Sequence, residues 1–230
     1  MSHQLPLALR LQHAPCLDDF IVGNNQALLD ALARTLDGAG EQLIFIAGAA
    51  GSGRSHLLLG QCAAAEARGR HSAYLPLGEH ATLAPQMLDG LEALDLVAVD
   101  DVDAIAGDMA WERALFGLFN RCRDSRTTML FSAAAGPALL PLQLADLRSR
   151  LAWGLSFAVQ PLDDGGRLAL LTALAQRCAL QLPDDVARYL LERGPRHPSA
   201  LVAAMELLDR ASLAEKRRLT IPFVRSQLEL

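Results

Sequence analysis

The chain has 230 residues, 51% of them hydrophobic, with a formal net charge of −5. That length and apolar content support one large folded domain, or one domain with a small appendage, and exclude a disordered chain. The longest apolar runs are far too short to span a bilayer. The clearest basic run is KRR at 216–218, so strong direct binding to DNA phosphates is disfavoured.

The first fifteen residues lack a signal-peptide core, which gives a cytoplasmic expectation. Cys16, Cys62, Cys122 and Cys178 form no C-x-x-C pair and read as buried small apolar residues of a reducing compartment. Residues 1–22 form a separate tail. Leu5, Leu7, Leu9 and Leu11 alternate around Pro6, a pattern suited to an extended peptide. Such a peptide either packs on its own domain or lays its leucines into a partner's groove.

Asn24 and Asn25 can cap a helix running to Leu36, with Leu28, Leu29, Leu32 and Leu36 on one face. DGAGE at 37–41 breaks it, and LIFIA at 43–47 is the first strand. Residues 54–68 read as a helix, with Leu57, Leu58, Cys62 and Ala65 toward a sheet. A strand at 72–77 and a helix at 83–91 follow. LDLVAVDD at 94–101 has the form of a central parallel strand, with Asp100 and Asp101 at its carboxyl end. A helix at 111–123, a strand at 127–132, a helix within 137–150 and a strand at 155–159 complete the alternation. Alternating strands and helices define an α/β fold with a parallel sheet covered on both faces. After Pro161 the strand signals stop. Helices at 167–178, 184–193, 198–213 and 223–228 form a small helical lid. The divisions are thus 1–22, 23–160 and 161–230.

The stretch between the first strand and the helix after it carries the chemistry. Gly48, Ala49, Ala50, Gly51, Ser52, Gly53, Arg54, Ser55 and His56 fit the phosphate-loop template G-x-x-x-x-G-K-[ST], with Arg54 in place of lysine. Phosphate oxygens are held by backbone N–H groups, so glycines must bring the main chain close, and the following helix adds its positive end. Ser55 and Asp100 are placed to ligate magnesium, with Asp101 beside them. Arg54 keeps the charge of lysine but is a bulkier planar fork. Diphosphate binding is therefore expected to survive, with impaired geometry for hydrolysis. Arg148 and Arg150, just before the last strand, read by spacing alone as solvated helix arginines.

Together, GRSHLLL, LVAVDD followed by AIAGD, LRSRLAWG, LDRAS and LTIPFV resemble the DnaA-related branch of the AAA+ superfamily over nearly the whole chain. The resemblance implies a three-layer AAA+ P-loop domain with a C-terminal lid, binding ADP or ATP. No helix-turn-helix follows the lid, which fits the branch's regulatory members rather than a complete initiator. It further implies that Arg150 is an arginine finger reaching the nucleotide of a neighbouring ATP-bound DnaA and promoting its hydrolysis. Gln4, Leu5, Pro6, Leu7 and Leu9 resemble the peptide through which such regulators dock on the DNA-loaded sliding clamp (the polymerase β subunit), so that DNA is met indirectly. Residues 20–22 correspond to the family's adenine-pocket segment. AAA+ lids commonly contact neighbouring subunits, so a homo-oligomer is compatible with the resemblance.

Three positions depart from the family pattern. Ala133 and Ala134 stand where the sensor-1 strand carries a polar or acidic residue, with only Ser132 polar there. The sensor-2 arginine of the lid helix falls near Ser199, with Arg196 one turn early. An independent ATPase of the initiator or helicase-loader kind, and a clamp-bound adaptor with a vestigial nucleotide site, are the competing functions. Steady ATP turnover by the isolated protein marks the first, and indifference to loss of Arg150 marks the second. Nothing in the chain suggests the acceptor pocket of a small-molecule kinase.

Overall fold

The apolar runs at 43–47, 96–100 and 128–133 alternate their side chains between two faces, as strands must, and both faces are buried. The structure is a computed structural model that describes residues 16–229. The leucine-rich peptide at 4–9 lies outside them. The strands are β1 (Leu43–Ala47), β2 (Ser72–Pro76), β3 (Leu96–Asp100), β4 (Thr128–Ala133) and β5 (Leu155–Ala158). They form one parallel sheet in the order β2-β3-β4-β1-β5. Because β1 lies between β4 and β5, the loop leaving its carboxyl end opens beside the end of β4 and one strand away from β3.

Phe45, Val97, Val99 and Phe131 face α3 (Met109–Ser125), which returns Leu115, Leu118, Phe119 and Cys122. On the other face Ile44, Ile46, Ala98 and Leu130 meet Leu28 and Leu32 of α1 (Gln26–Leu36) and Leu57 and Leu58 of α2 (Arg54–Glu66). Each large side chain so buried contributes about 1.5–3 kcal/mol of transfer free energy. A short helix, α4 (Ala145–Leu151), precedes β5. Four helices follow: α5 (Asp164–Arg177), α6 (Asp184–Arg193), α7 (Pro198–Glu215) and α8 (Ile221–Leu228). They enclose a core of their own, centred on Leu171, Val186, Leu190, Leu201, Met205 and Phe223. Ile21 packs against this core, while the neighbouring Leu17 and Phe20 pack with α2.

Some local expectations are corrected. Residues 77–93 hold no α-helix but three 3₁₀ turns, Leu77–Thr82, Pro85–Leu88 and Leu91–Ala93. Gly90 sits at φ +84°, outside the helical region and inside the expected 83–91 helix. The helix expected within 137–150 is present as α4, preceded by a 3₁₀ turn at Pro137–Leu139. Asn25 occupies the N-cap of α1 without capping it. Its amide instead reaches Gln160, donating to the carbonyl at 3.1 Å and accepting from the N–H at 2.7 Å. Cys62 and Cys122 are buried as expected, but Cys16 is exposed and Cys178 half-buried. No described helix is long and apolar enough to cross a membrane.

Candidate functional site

β1 ends at Ala47, and the chain turns through Gly48–Gly53 before α2 begins at Arg54. Gly51 and Gly53 have φ of +76° and +102°, a region that side chains with a Cβ enter at a cost. A Cβ on Gly48 would stand 2.6 Å from Ser52 Oγ, and one on Gly53 would stand 3.0 Å from the Phe20 ring. The loop is thus a bare-backbone cradle, walled on one side by Phe20. Phe20 lies 6.2 Å, ring centre to ring centre, from His56, whose Nε2 bonds the Cys16 carbonyl at 2.9 Å.

Arg54 is buried, with one arm of its guanidinium, Nη2, paired with Asp101 Oδ1 at 2.7 Å. The other arm, Nη1, is buried without a hydrogen-bond partner, as is Ser52 Oγ. Two buried polar atoms without partners, one on a loop residue and one on the first residue of the helix that follows, are features a phosphate group would satisfy. The nucleotide template therefore fits: the loop N–H groups, Ser52 and Arg54 would hold a diphosphate.

Asp100, at the end of β3, is almost fully buried. Its Oδ1 accepts from Ser132 Oγ and from the Asp101 N–H at 3.1 Å, and its Oδ2 accepts from Tyr74 Oη at 2.6 Å. Neither oxygen is left free, so magnesium does not fit as a ligand of Asp100 in this arrangement. Ser55 is exposed beside the Tyr74 hydroxyl. Burial first, and then its bond to Asp100, push the Tyr74 phenol well above its ordinary range. Asp101 adopts the left-handed conformation at φ 53°, and its N–H also donates to Ser132 Oγ at 3.1 Å. Burial, followed by the nearby Asp100 charge, raises its carboxyl above the usual carboxylate value, while Arg54 pulls the other way.

The remaining sequence-derived positions fall as follows. β4 ends at Ala133, and Ser132 is spent on Asp100, so no free polar side chain follows this strand toward the loop. The N–H of Ala134 donates to Asp103 Oδ1 at 3.3 Å. Helix α7 starts at Pro198, which leaves Arg196 in the loop before it. Ser199 touches the cradle itself: its N–H donates to the Gly51 carbonyl at 3.2 Å, and its hydroxyl would collide with any Cβ on Gly51. Arg150 is not a solvated helix residue. Its guanidinium carbon lies 5.1, 6.0 and 4.8 Å from the ring centres of Phe116, Phe119 and Trp153, and its Nη1 is buried without a partner. Arg148 donates to the Leu142 carbonyl at 3.4 Å.

The crowding at Gly51 gives a direct check. Gly51→Ala should lower stability by roughly 1–2 kcal/mol from the positive φ alone, with Ser199 displaced from the loop. A urea midpoint equal to that of wild type would contradict the described cradle.

Sequence reasoning missed two residues that hold the machinery. Tyr74, one of two tyrosines in the chain, sits on β2 opposite Ala98, two residues before the position paired with Asp100. That parallel offset was the available signal. Glu112 is fully buried in α3 and accepts three backbone N–H bonds, from Gly107 at 2.8 Å, Gln143 at 3.1 Å and Leu144 at 2.6 Å. It thereby fixes the approach to α4 and Arg150. A glutamate in the first turn of a helix carries no mark of that role in sequence.

A parallel five-stranded sheet with a glycine loop after β1, together with a helical lid that meets that loop, defines an AAA+ domain. The sequence profile of the bacterial DnaA ATPase domain matches residues 11–158, and that of the Hda lid domain matches residues 164–228. The chain belongs to the bacterial DnaA ATPase-domain family, as an Hda-like, DnaA-related AAA+ protein. Its fold is similar to that of domain III of the Thermotoga maritima replication initiation protein DnaA. That match has a TM-score of 0.83 and 21% identity, over 93% of this chain and 95% of that one. AMPPCP-bound DnaA from Aquifex aeolicus matches with a TM-score of 0.73 and 23% identity, over 88% of this chain and 69% of that one. The RuvB Holliday junction branch migration motor of Thermotoga maritima matches with a TM-score of 0.72 and 17% identity, covering 94% and 71% respectively.

Proposed function

We propose that this chain is a regulator of the DnaA initiator: it holds ADP or ATP, docks on the DNA-loaded sliding clamp, and stimulates hydrolysis of DnaA-bound ATP through Arg150. The observation that carries this reading is the pairing of a DnaA-type ATPase domain with an Hda-type lid in one chain. The site chemistry favours action on another protein's nucleotide. Ser132 and Asp100 satisfy one another, Ala134 offers no side-chain donor, and Ser199 brings no cation to the loop. None of these supplies the fixed charge that a transferring phosphoryl group requires.

The nucleotide then acts as a structural ligand of the cradle at Gly48–His56, with residues 20–22 beside it. Phosphoryl transfer on DnaA gains a cation from Arg150, which needs no proton exchange to act. The peptide at Gln4, Leu5, Pro6, Leu7 and Leu9 supplies clamp docking, which lets an acidic protein work at DNA that it does not grip.

The test measures hydrolysis of ATP bound to cognate DnaA, with DNA-loaded clamp, in the presence and absence of this protein. Stimulation on the order of 10³-fold is expected, together with loss of clamp retention when Leu5 and Leu7 are cut back to alanine. Absence of stimulation on a functional DnaA defeats the proposal, and clamp retention by the tail variant defeats the docking assignment. Steady ATP turnover without DnaA would instead favour the independent motor.

A further inference from the structure

We propose that Asp101 is a positioning residue: it clamps one arm of the Arg54 fork so that the other arm, Nη1, meets the β-phosphate of a bound nucleotide. This rests on the nucleotide reading above and adds to it the role of the unusual arginine. The guanidinium is rigid and planar, so fixing Nη2 fixes where Nη1 points. Nη2 is held at 2.7 Å by Asp101. Nη1 is buried and has no acceptor among the described residues, and Ser52 Oγ, in the loop itself, is a second buried group without a partner there. Both wait for a ligand oxygen, since a buried donor left unpaired is costly.

Asp101 is itself held. Its backbone N–H is shared between Asp100 Oδ1 and Ser132 Oγ, both at 3.1 Å, and its φ of 53° turns it off the end of β3. The backbone that carries the clamp is therefore tied to the end of the sheet. A lysine at position 54 would present one ammonium to two claimants, the carboxylate and the phosphate. An arginine divides them between its two arms. On this account the departure from the phosphate-loop template is an adaptation to Asp101, and restoring lysine harms the site.

The experiment measures ADP and AMP affinity by titration calorimetry for wild type, Arg54→Lys, Asp101→Asn and the double variant, with the melting temperature of each taken without nucleotide. Asparagine tolerates the left-handed conformation, so the second variant keeps the backbone. Each single variant is expected to bind ADP about tenfold more weakly, the scale of one charge-assisted hydrogen bond. AMP affinity should stay within about twofold, because the lost contact is to the β-phosphate. The double variant should be no weaker than the worse single one. Arg54→Lys binding ADP as tightly as wild type, Asp101→Asn binding it more tightly, additive losses, or an equal loss for AMP would each overturn the proposal. If wild type binds neither nucleotide, the nucleotide reading falls with it. The other contrary outcomes leave that reading standing.

Discussion

Arg150→Ala should abolish stimulation of DnaA-bound ATP hydrolysis while clamp retention and folding persist. An arginine finger contributes on the order of 10³-fold or more in turnover, so the residual effect should be indistinguishable from background. The three surrounding rings make the experiment clean. Losing the contacts with Phe116, Phe119 and Trp153 costs only about 0.5–2 kcal/mol, too little to unfold the domain. Arg150→Lys should not rescue, because an ammonium lacks the planar fork that stacks on the rings and can present two parallel donors to a phosphate. Full stimulation by Arg150→Ala would favour a clamp-bound adaptor over a trans activator.

Glu112→Ala should be the most destabilising single substitution among the polar residues discussed. Three backbone N–H groups, of Gly107, Gln143 and Leu144, lose their charged acceptor at a fully buried position. The expected cost is about 4 kcal/mol, which for a chain of this size lowers the melting temperature by roughly 10 °C. Glu112→Gln should recover little, since the amide NH₂ would face at least one of these donors. Because Leu144 is the N-cap of α4, stimulation should fall even below the melting transition. A melting temperature within about 2 °C of wild type would show that the three bonds are dispensable.

The parallel sheet, the loop after β1 and the lid were legible from particular residues. LIFIA, LVAVD and TMLFSA are apolar on both faces, which suits only a strand covered on both sides. GAAGSGRS keeps the glycine spacing and the closing serine of a phosphate loop, directly after a strand-like run. What sequence could not convey were relations between strands. Asp100 reads as a metal ligand until Tyr74 and Ser132, from the neighbouring strands, are seen to fill it. Arg150 reads as an exposed helix arginine until α3 and Trp153 bring rings around it. Residues 83–91 misled for a local reason: Leu88 and Leu91 stand one helical turn apart, but Gly90 between them takes a positive φ that breaks a helix.

The contact between Ser199 and Gly51 has a mechanical consequence. Helix α7 contains 18 residues, so it extends about 27 Å from the point where its first turn rests on the loop. A tilt of roughly 10° about that point carries its far end through about 5 Å. Since Leu201, Met205 and Leu208 bury α7 in the lid core, such a tilt would carry the rest of the lid with it. A ligand too small to span the two domains could still set the attitude of the lid's distant surface, the one that Leu213 leaves exposed to solvent.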